Sequence, residues 1–466
     1  MTDYFPIEFI ADSLYSFGED DLATEVLHSF GRRANKFIEL ETIAKIFFTH
    51  KKYSESILYA EKCLDLTDSS DEKLTIIKNI VNSCNYANYP EKTLKILNNL
   101  ENLSSDNYTS EEILVDKSFA YIASNQKEKG IEILKKIVED AEFDSENIEK
   151  RVYHNFSGYY FHRDDINNGL KHFLKGGENE AYTNTPRPPF KKWDGSVVSG
   201  KTIIIDAQCG CGDEVMSVRF MKNIEKMGMK PIWVTTRPEL VEIFKFNGFE
   251  AHLCNDIDRK NIGWKKYPKD TEWVYALSIP YYLNLSANDL GREPYLSPLP
   301  KKENEYSYLE EDKNFKIGAL WNSSSGFQQA RFRAIPAGDM LKCLSNRKNV
   351  SIYSLQGPDD EKQIPKKYQN EVKFFDIPNR NFADTFSIIS KMDLVITACT
   401  SVAHIAASMG KEVCVITPIL EYYAWTSSTG KSWWYGDNVH IFRQKKPREW
   451  KDPLKELNEY LNNLGI

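Results

Sequence analysis

No stretch of this 466-residue chain approaches the ~20 uninterrupted apolar residues that span a bilayer, which argues against a membrane-crossing helix. Its start, Met-Thr-Asp-Tyr-Phe-Pro, lacks the charged and apolar regions of a secretory signal, so a cytoplasmic protein is expected. Basic residues are not in excess: 60 Lys and Arg stand against 67 Asp and Glu, for a net charge of −7. That balance disfavours a dedicated nucleic-acid binder, which needs a basic face. The eight cysteines have neither metal-ligand nor disulfide spacing. Cys209 and Cys211 are the closest pair, one residue too close for Cys-x-x-Cys, and a reducing compartment fits them. What the chain does contain, 41% hydrophobic and 27% charged residues, is enough for two to four globular domains.

The first part, residues 1–182, reads as helical and repetitive. Amphipathic units recur around Tyr53 to Leu64, Pro90 to Leu97, Lys127 to Leu134 and Asn167 to Leu174. Aligning Leu58, Leu94, Ile131 and Leu170 gives steps of 36, 37 and 39 residues. Helix-turn-helix units of that period stack into a solenoid, because one hairpin cannot bury its own apolar face. With Ala60 and Gly130 where helices must approach, the units resemble degenerate tetratricopeptide repeats, a generic array of helical hairpins being the other reading.

Residues 183–199 include Pro186, Pro188 and Pro189 and have no apolar period, so a linker is expected there. Beyond it, strands alternate with helices in the manner of parallel sheets covered on both faces. Residues 200–312 form one expected Rossmann-like lobe, with strands at Lys201 to Asp206 and Pro231 to Thr235. Residues 313–466 form a second, with strands at Lys316 to Trp321, Val350 to Leu355, Val372 to Phe375, Leu394 to Ile396 and Val413 to Thr417. Two such lobes bind ligands where the carboxyl ends of their strands face a common cleft.

The segment Asp393 to Gly410 is the most informative. It runs from a buried strand through Cys399-Thr400-Ser401 into an apolar helix, with His404 one turn in. A helix N-terminus with two hydroxyls is an anion site in outline, since free N–H groups and the dipole both favour negative charge. An ordinary helix cap beside a core histidine is the plainer alternative. At other strand ends stand the Gly210-Cys-Gly212-Asp213 turn, the Gly318 to Ser323 turn carrying Trp321 and Asn322, and Gln356 in Ser-Leu-Gln-Gly-Pro. Gln356 and the Gly318 to Ser323 turn would line a nucleotide pocket. Trp321, Trp425, Trp433 and Trp434 offer aromatic surface for a base or sugar, or else core packing.

From about Gly200 to the C-terminus the ordered series resembles the GT-B sugar transferases, in particular glycosyltransferase family 9, the heptosyltransferase-like enzymes. Its members are Gly210-Cys-Gly-Asp213, Leu277-Ser-Ile-Pro280 with Pro294-Tyr-Leu296, Trp321 to Pro336, Ser354-Leu-Gln356, Asp393 to His404, Lys411 to Pro418, Trp433-Trp-Tyr435 and Ile441 to Gln444. The resemblance implies an inverting transfer of a sugar from a nucleotide-sugar donor to an acceptor hydroxyl. It puts the base on Asp213, the plainer role of that residue being a helix cap. It puts the cation that meets the diphosphate on Arg333, with Arg331 in reserve, and His404 near the donor phosphates; a surface arginine and a core histidine are the alternatives. Thr400 and Ser401 would supply donors to the diphosphate. The matched series contains no Asp-x-Asp, so no metal or other cofactor is implied. The last helix, Pro453 to Leu464, would cross back to the first lobe as part of a hinge whose closure brings Asp213 to the donor. One departure stands out: Cys399 occupies a place where an acidic residue is usual.

Three functions follow from these readings. The first is a transferase whose repeats recruit the acceptor or a protein partner. The second is a repeat-based binding protein whose transferase module has decayed, which Cys399 supports. The third is a transferase acting on nucleic-acid bases or polysaccharide.

Overall fold

The computed structural model describes residues 5–100, 104–139, 143–176, 187–207, 209–254, 263–286, 289–290, 292–323, 330–357, 361–375, 377, 380–420, 423–426, 430 and 432–466. Two compact units divide the chain. One is Met1–Glu149 with Lys446–Arg448; the other is Lys150–Lys445 with Glu449–Ile466.

The first unit is built of paired helices: α1 (Phe5–Ser16) with α2 (Asp20–Gly31), α3 (Phe37–Thr49) with α4 (Tyr53–Leu64), α5 (Ser70–Tyr86) with α6 (Pro90–Asn98), and α7 (Ser110–Ala123) with α8 (Lys127–Glu139). A further pair, α9 (Glu146–His162) and α10 (Ile166–Lys175), continues the order. The four residues whose spacing was aligned each fall in the second helix of a pair. The turns repeat as well. Lys51, Asn88, Asn125 and Asp164 all adopt left-handed backbone, with φ of 59°, 60°, 62° and 59°, a conformation that Asn and Asp tolerate better than most side chains. Small residues recur where the two helices of a pair meet. Ser56 donates to the Ala44 carbonyl at 2.9 Å, and Ser118 to the Gly130 carbonyl at 2.8 Å. A methyl group on Gly130 would lie 2.7 Å from the Ser118 carbonyl oxygen, so glycine is required there.

From Lys150 onward the α9–α10 pair belongs to the second unit. Phe161, Ile166 and Leu170 pack with Phe173, Tyr423 and Trp433, the rings of Phe161 and Trp433 stacking at 5.5 Å. The packing division therefore falls earlier than residue 182. The expected linker differs too: its residues 183–186 lie outside the described ones, while Lys191–Lys192 form a strand and Trp193 is wholly buried. An indole in that position is drawn into the sheet's core by the apolar area it removes from water.

The first parallel sheet contains β1 (Lys191–Lys192), β2 (Thr202–Asp206), β3 (Lys230–Thr235), β4 (Ala251–Leu253) and β5 (Glu272–Tyr275), in the order β1-β5-β2-β3-β4. Its helices include α11 (Cys211–Ser217), α12 (Met221–Lys226), α13 (Pro238–Phe246), α14 (Ile279–Tyr282) and α15 (Pro300–Asn304). The second sheet contains β6 (Phe315–Leu320), β7 (Val350–Ser354), β8 (Val372–Lys373), β9 (Leu394–Ala398), β10 (Glu412–Thr417) and β11 (Val439–Arg443), ordered β11-β10-β9-β6-β7-β8. It carries α16 (Ala330–Arg333), α17 (Ala337–Leu344), α18 (Phe382–Ser390), α19 (Ser401–Ser408) and α20 (Lys451–Asn463). Every pairing between the named strands of the two sheets is parallel. Fully buried runs such as Ile203-Ile204-Ile205 account for this, since a parallel strand is covered on both faces.

Each sheet reverses its winding once, between β2 and β5 in the first and between β6 and β9 in the second. Such switch points open a crevice at the strands' carboxyl ends. The last helix departs from expectation. Leu454, Leu457 and Leu461 of α20 share a core with Leu341, Leu344 and Phe442, so α20 covers its own sheet and does not cross to the first lobe. Its apolar stripe meets a matching one on α17, which fixes the choice. Leu457 is fully buried and Leu464 half exposed. Urea denaturation should find Leu457→Ala destabilised by about 2–5 kcal/mol and Leu464→Ala by less than about 0.5 kcal/mol.

Candidate functional site

At the first switch point, β2 ends at buried Asp206, buried Ala207 follows, and the chain turns through Gly210 into α11. Asp213 lies in the first turn of α11, half-buried, where its carboxylate accepts the Gly210 N–H at 2.9 Å. Gly212 beside it is packed against α19 of the other lobe. A methyl group there would lie 2.7 Å from His404 Cδ2 and 3.2 Å from Ser401 Cα. The starts of the two helices thus touch.

At the second switch point, β6 leads into the turn at Trp321 and Asn322. Gln356, buried after β7, accepts the N–H of Trp321 at 2.9 Å and of Asn322 at 2.6 Å. Asn322 accepts the Ser323 N–H at 2.9 Å, and Arg380 donates to the carbonyl of Gln356 at 2.7 Å. Gln356 is therefore a clamp on the turn. The ring of Trp321 is wholly buried with Ile335, Met340 and Leu341, so its aromatic face belongs to the core.

Thr400 precedes α19 in extended backbone, φ −140° and ψ 176°, and Ser401 opens the helix; both are half-buried. The Thr400 hydroxyl lies 3.2 Å from that of Thr397. The N–H groups of Ser401 and Val402 precede the helix's first hydrogen bond, from Ala403 N–H to the Thr400 carbonyl. Arg333, half-buried at the end of α16, donates from Nη1 to the Cys399 carbonyl at 2.9 Å. Arg331 is exposed. Ile335 N–H bonds the Trp321 carbonyl at 2.9 Å, so the segment following Arg333 joins the β6 turn to the β9 loop.

His404 is buried, 3% exposed, with Nδ1 2.8 Å from the Tyr435 hydroxyl and its ring 4.5 Å from that of Trp425. Burial, then the nearby Arg219 and Arg333 guanidinium groups, push its pKa down to about 3. At neutral pH the imidazole is uncharged. Cys399 lies in the same core, 2% exposed.

Two constellations escaped the sequence reading. Arg219 is 7% exposed, with its guanidinium 5.3 Å from the Tyr435 ring and 5.5 Å from those of Tyr295 and Trp434. A lone cation inside Val218-Arg-Phe-Met221 was the available signal. Glu214, next to Asp213, is wholly buried, ion-paired with Arg237 and hydrogen-bonded by the Trp233 indole N–H at 3.0 Å. Of the expected site residues, the structure gathers Gly212, Asp213, Arg333, Thr400, Ser401 and His404 around the α11–α19 contact. Trp321, Asn322 and Gln356 form a separate clamp beside it.

No family model matches the chain, and no curated protein matches its sequence. Solved structures do. A heptosyltransferase of E. coli with ADP is 11% identical, covering 56% of this chain and 99% of its own, at a TM-score of 0.40. A glycosyl transferase family 9 protein of Veillonella parvula is 11% identical over 58% and 91%, at 0.39. A variant of the O-GlcNAc transferase of Thermobaculum terrenum is 11% identical over 92% of each chain, at 0.29. These neighbours are glycosyltransferases by name.

Burial pushes the Glu214 carboxyl up to about 7, against the opposing pull of Arg237. The unfolded chain gives up that proton near pH ~4.3 and the folded one only near 7, so the folded form binds more protons in between. Stability should fall as pH rises through this window. Chemical denaturation of Glu214→Gln across the same range should give a flatter profile than the parent.

Proposed function

We propose that the second unit is an inverting, metal-independent glycosyltransferase that moves a sugar from a nucleotide-sugar donor to an acceptor hydroxyl. The supporting observation is the meeting of the two helix starts, with Gly212 against Ser401 and His404. Asp213, the proposed base, stands within a turn of an N-terminus that favours anions. In the reaction, its carboxylate takes the acceptor's hydroxyl proton. The acceptor oxygen bonds the anomeric carbon from the face opposite the leaving group. The bond from that carbon to the diphosphate oxygen breaks, and the nucleoside diphosphate departs.

The departing charge needs donors already in place. Ser401 and Thr400 hydroxyls, the first N–H groups of α19 and the Arg333 guanidinium fill that role, with Arg331 at the outer edge. Neutral His404 acts from behind the helix start rather than as a cation. Gln356 shapes the Trp321-Asn322 turn at which the nucleotide rests. Gly210 lets the backbone come close to the sugar, whereas the space beside Gly212 is taken up by Ser401 and His404. The paired helices of the first unit would recruit the acceptor to the lobe at 200–312, the donor docking on the lobe at 313–466. Asp256-Ile-Asp258, a metal-ligating pattern by residue type, lies outside both the matched series and the described residues.

Among a panel of sugar nucleotides, one should raise the melting temperature, a ligand at 100 times its Kd adding about 2.7 kcal/mol. Asparagine preserves the helix cap at position 213. Asp213→Asn should therefore keep the donor's thermal shift while kcat falls by about 10²–10⁴-fold, and transfer should survive EDTA. No shift with any sugar nucleotide, or unimpaired transfer by Asp213→Asn, refutes the proposal.

A further inference from the structure

The helix α19 of the second lobe is seated on the first lobe at both ends. At its start lies the contact with Gly212. At its far end the N–H groups of Tyr295 and Leu296 donate to the Ser408 carbonyl at 3.0 and 3.3 Å. Gly410 follows, with φ +72°, and a methyl group there would lie 2.5 Å from Pro294 Cγ. Between the ends, Ala403, His404, Ala406 and Ala407 are buried, and the Tyr295 hydroxyl donates to the Val215 carbonyl at 3.0 Å. Tyr295 also reaches Tyr435, which holds His404. Buried residues of both lobes, from Val215 and Met216 to Ala403 and Trp434, form one continuous core.

From this arrangement we infer that Gly212 is a positioning residue that seats α19 on the first lobe, so that the proposed site is assembled before any donor arrives. This inference rests on the reading of the site given above, and it replaces the expected hinge closure. A hinge along α19 would expose the buried alanines, His404 and Arg219 together. A packed interface of this kind has discrete arrangements rather than a continuous range. The lobes consequently stay joined through the catalytic cycle. Any side chain at position 212 wedges the α11 start from the α19 start and moves Asp213 away from the sugar.

The test is a reversible cross-link. The Cβ built on Gly410 is 3.4 Å from Pro294 Cβ, close to the ~3.5–4.5 Å that a disulfide spans. Both positions are exposed and stand apart from the transfer machinery. Pro294→Cys with Gly410→Cys should oxidise to completion, with each single variant as the control for backbone strain. The oxidised protein should keep the donor's thermal shift and a kcat/KM within about twofold of the reduced protein. Failure to cross-link overturns the inference, as does a loss of binding or turnover that dithiothreitol restores. Gly212→Ala should lower kcat by about 10²-fold with little change in donor KM; a glycine that matters only for folding would lower the melting temperature and leave kcat alone. Should no sugar nucleotide bind at all, the transferase reading fails by itself. Hydrogen exchange then still judges the seating of α19, whose amides should be protected as deeply as those of β9, and shallow protection there overturns it.

Discussion

The missing side chain at position 212 is the constraint on which the rest of the second unit depends. Because Gly212 presents only hydrogen, α11 and α19 approach until His404 and Ser401 fill the space where a Cβ would stand. Two parallel sheets, each with its own switch point, are thereby brought together at their strand ends. The contact also decides the chemistry of His404. Enclosed by Tyr435, Trp425 and the glycine, and near two arginines, the imidazole loses its solvent and cannot hold a proton at neutral pH. It serves as a hydrogen-bonded spacer at the back of the helix whose front faces the proposed donor.

Much of the architecture was legible because its signals are local. Runs such as Ile203-Ile204-Ile205 and Leu394-Val395-Ile396 are buried on both faces, so composition alone announces a parallel strand. The helical pairs announced themselves by spacing, and the turns at Lys51, Asn88, Asn125 and Asp164 carry that spacing into the backbone. What depends on partner surfaces was not legible. Trp193 sits in a proline-rich stretch that looks like a connector, yet its indole is wholly buried. The stripe on α20 is equally suited to either lobe; only the facing Leu341 and Leu344 select its own.

The site divides in the same way. Strand ends are where ligands bind in such sheets, so Asp213, Asn322, Gln356 and Thr400 could be located from the strand pattern. Their partners could not. The carboxamide oxygen of Gln356 accepts two backbone N–H groups, and the Trp321 ring turns into the core. Both facts follow from the inward or outward turn of one side chain, which no period in the sequence encodes. Arg219 was overlooked for a related reason. A guanidinium in an apolar helix reads as a surface residue unless an aromatic wall stands opposite, and that wall comes from Tyr295, Trp434 and Tyr435, far along the chain.

Cys399 brings these threads together. A carboxylate beside Thr400 would neutralise a neighbouring cation; here Arg333 is held by the neutral Cys399 carbonyl, and the thiol is buried. The nearby groups that bear on His404 are therefore two guanidiniums, Arg219 and Arg333, both of which disfavour its protonation. With His404 neutral, positive charge at the α19 start comes from the arginines and the helix end. In the proposed transfer, that surplus draws the diphosphate's developing charge, while Asp213 on the facing helix takes the acceptor's proton. The cysteine thus shifts the balance of the site toward binding an anion.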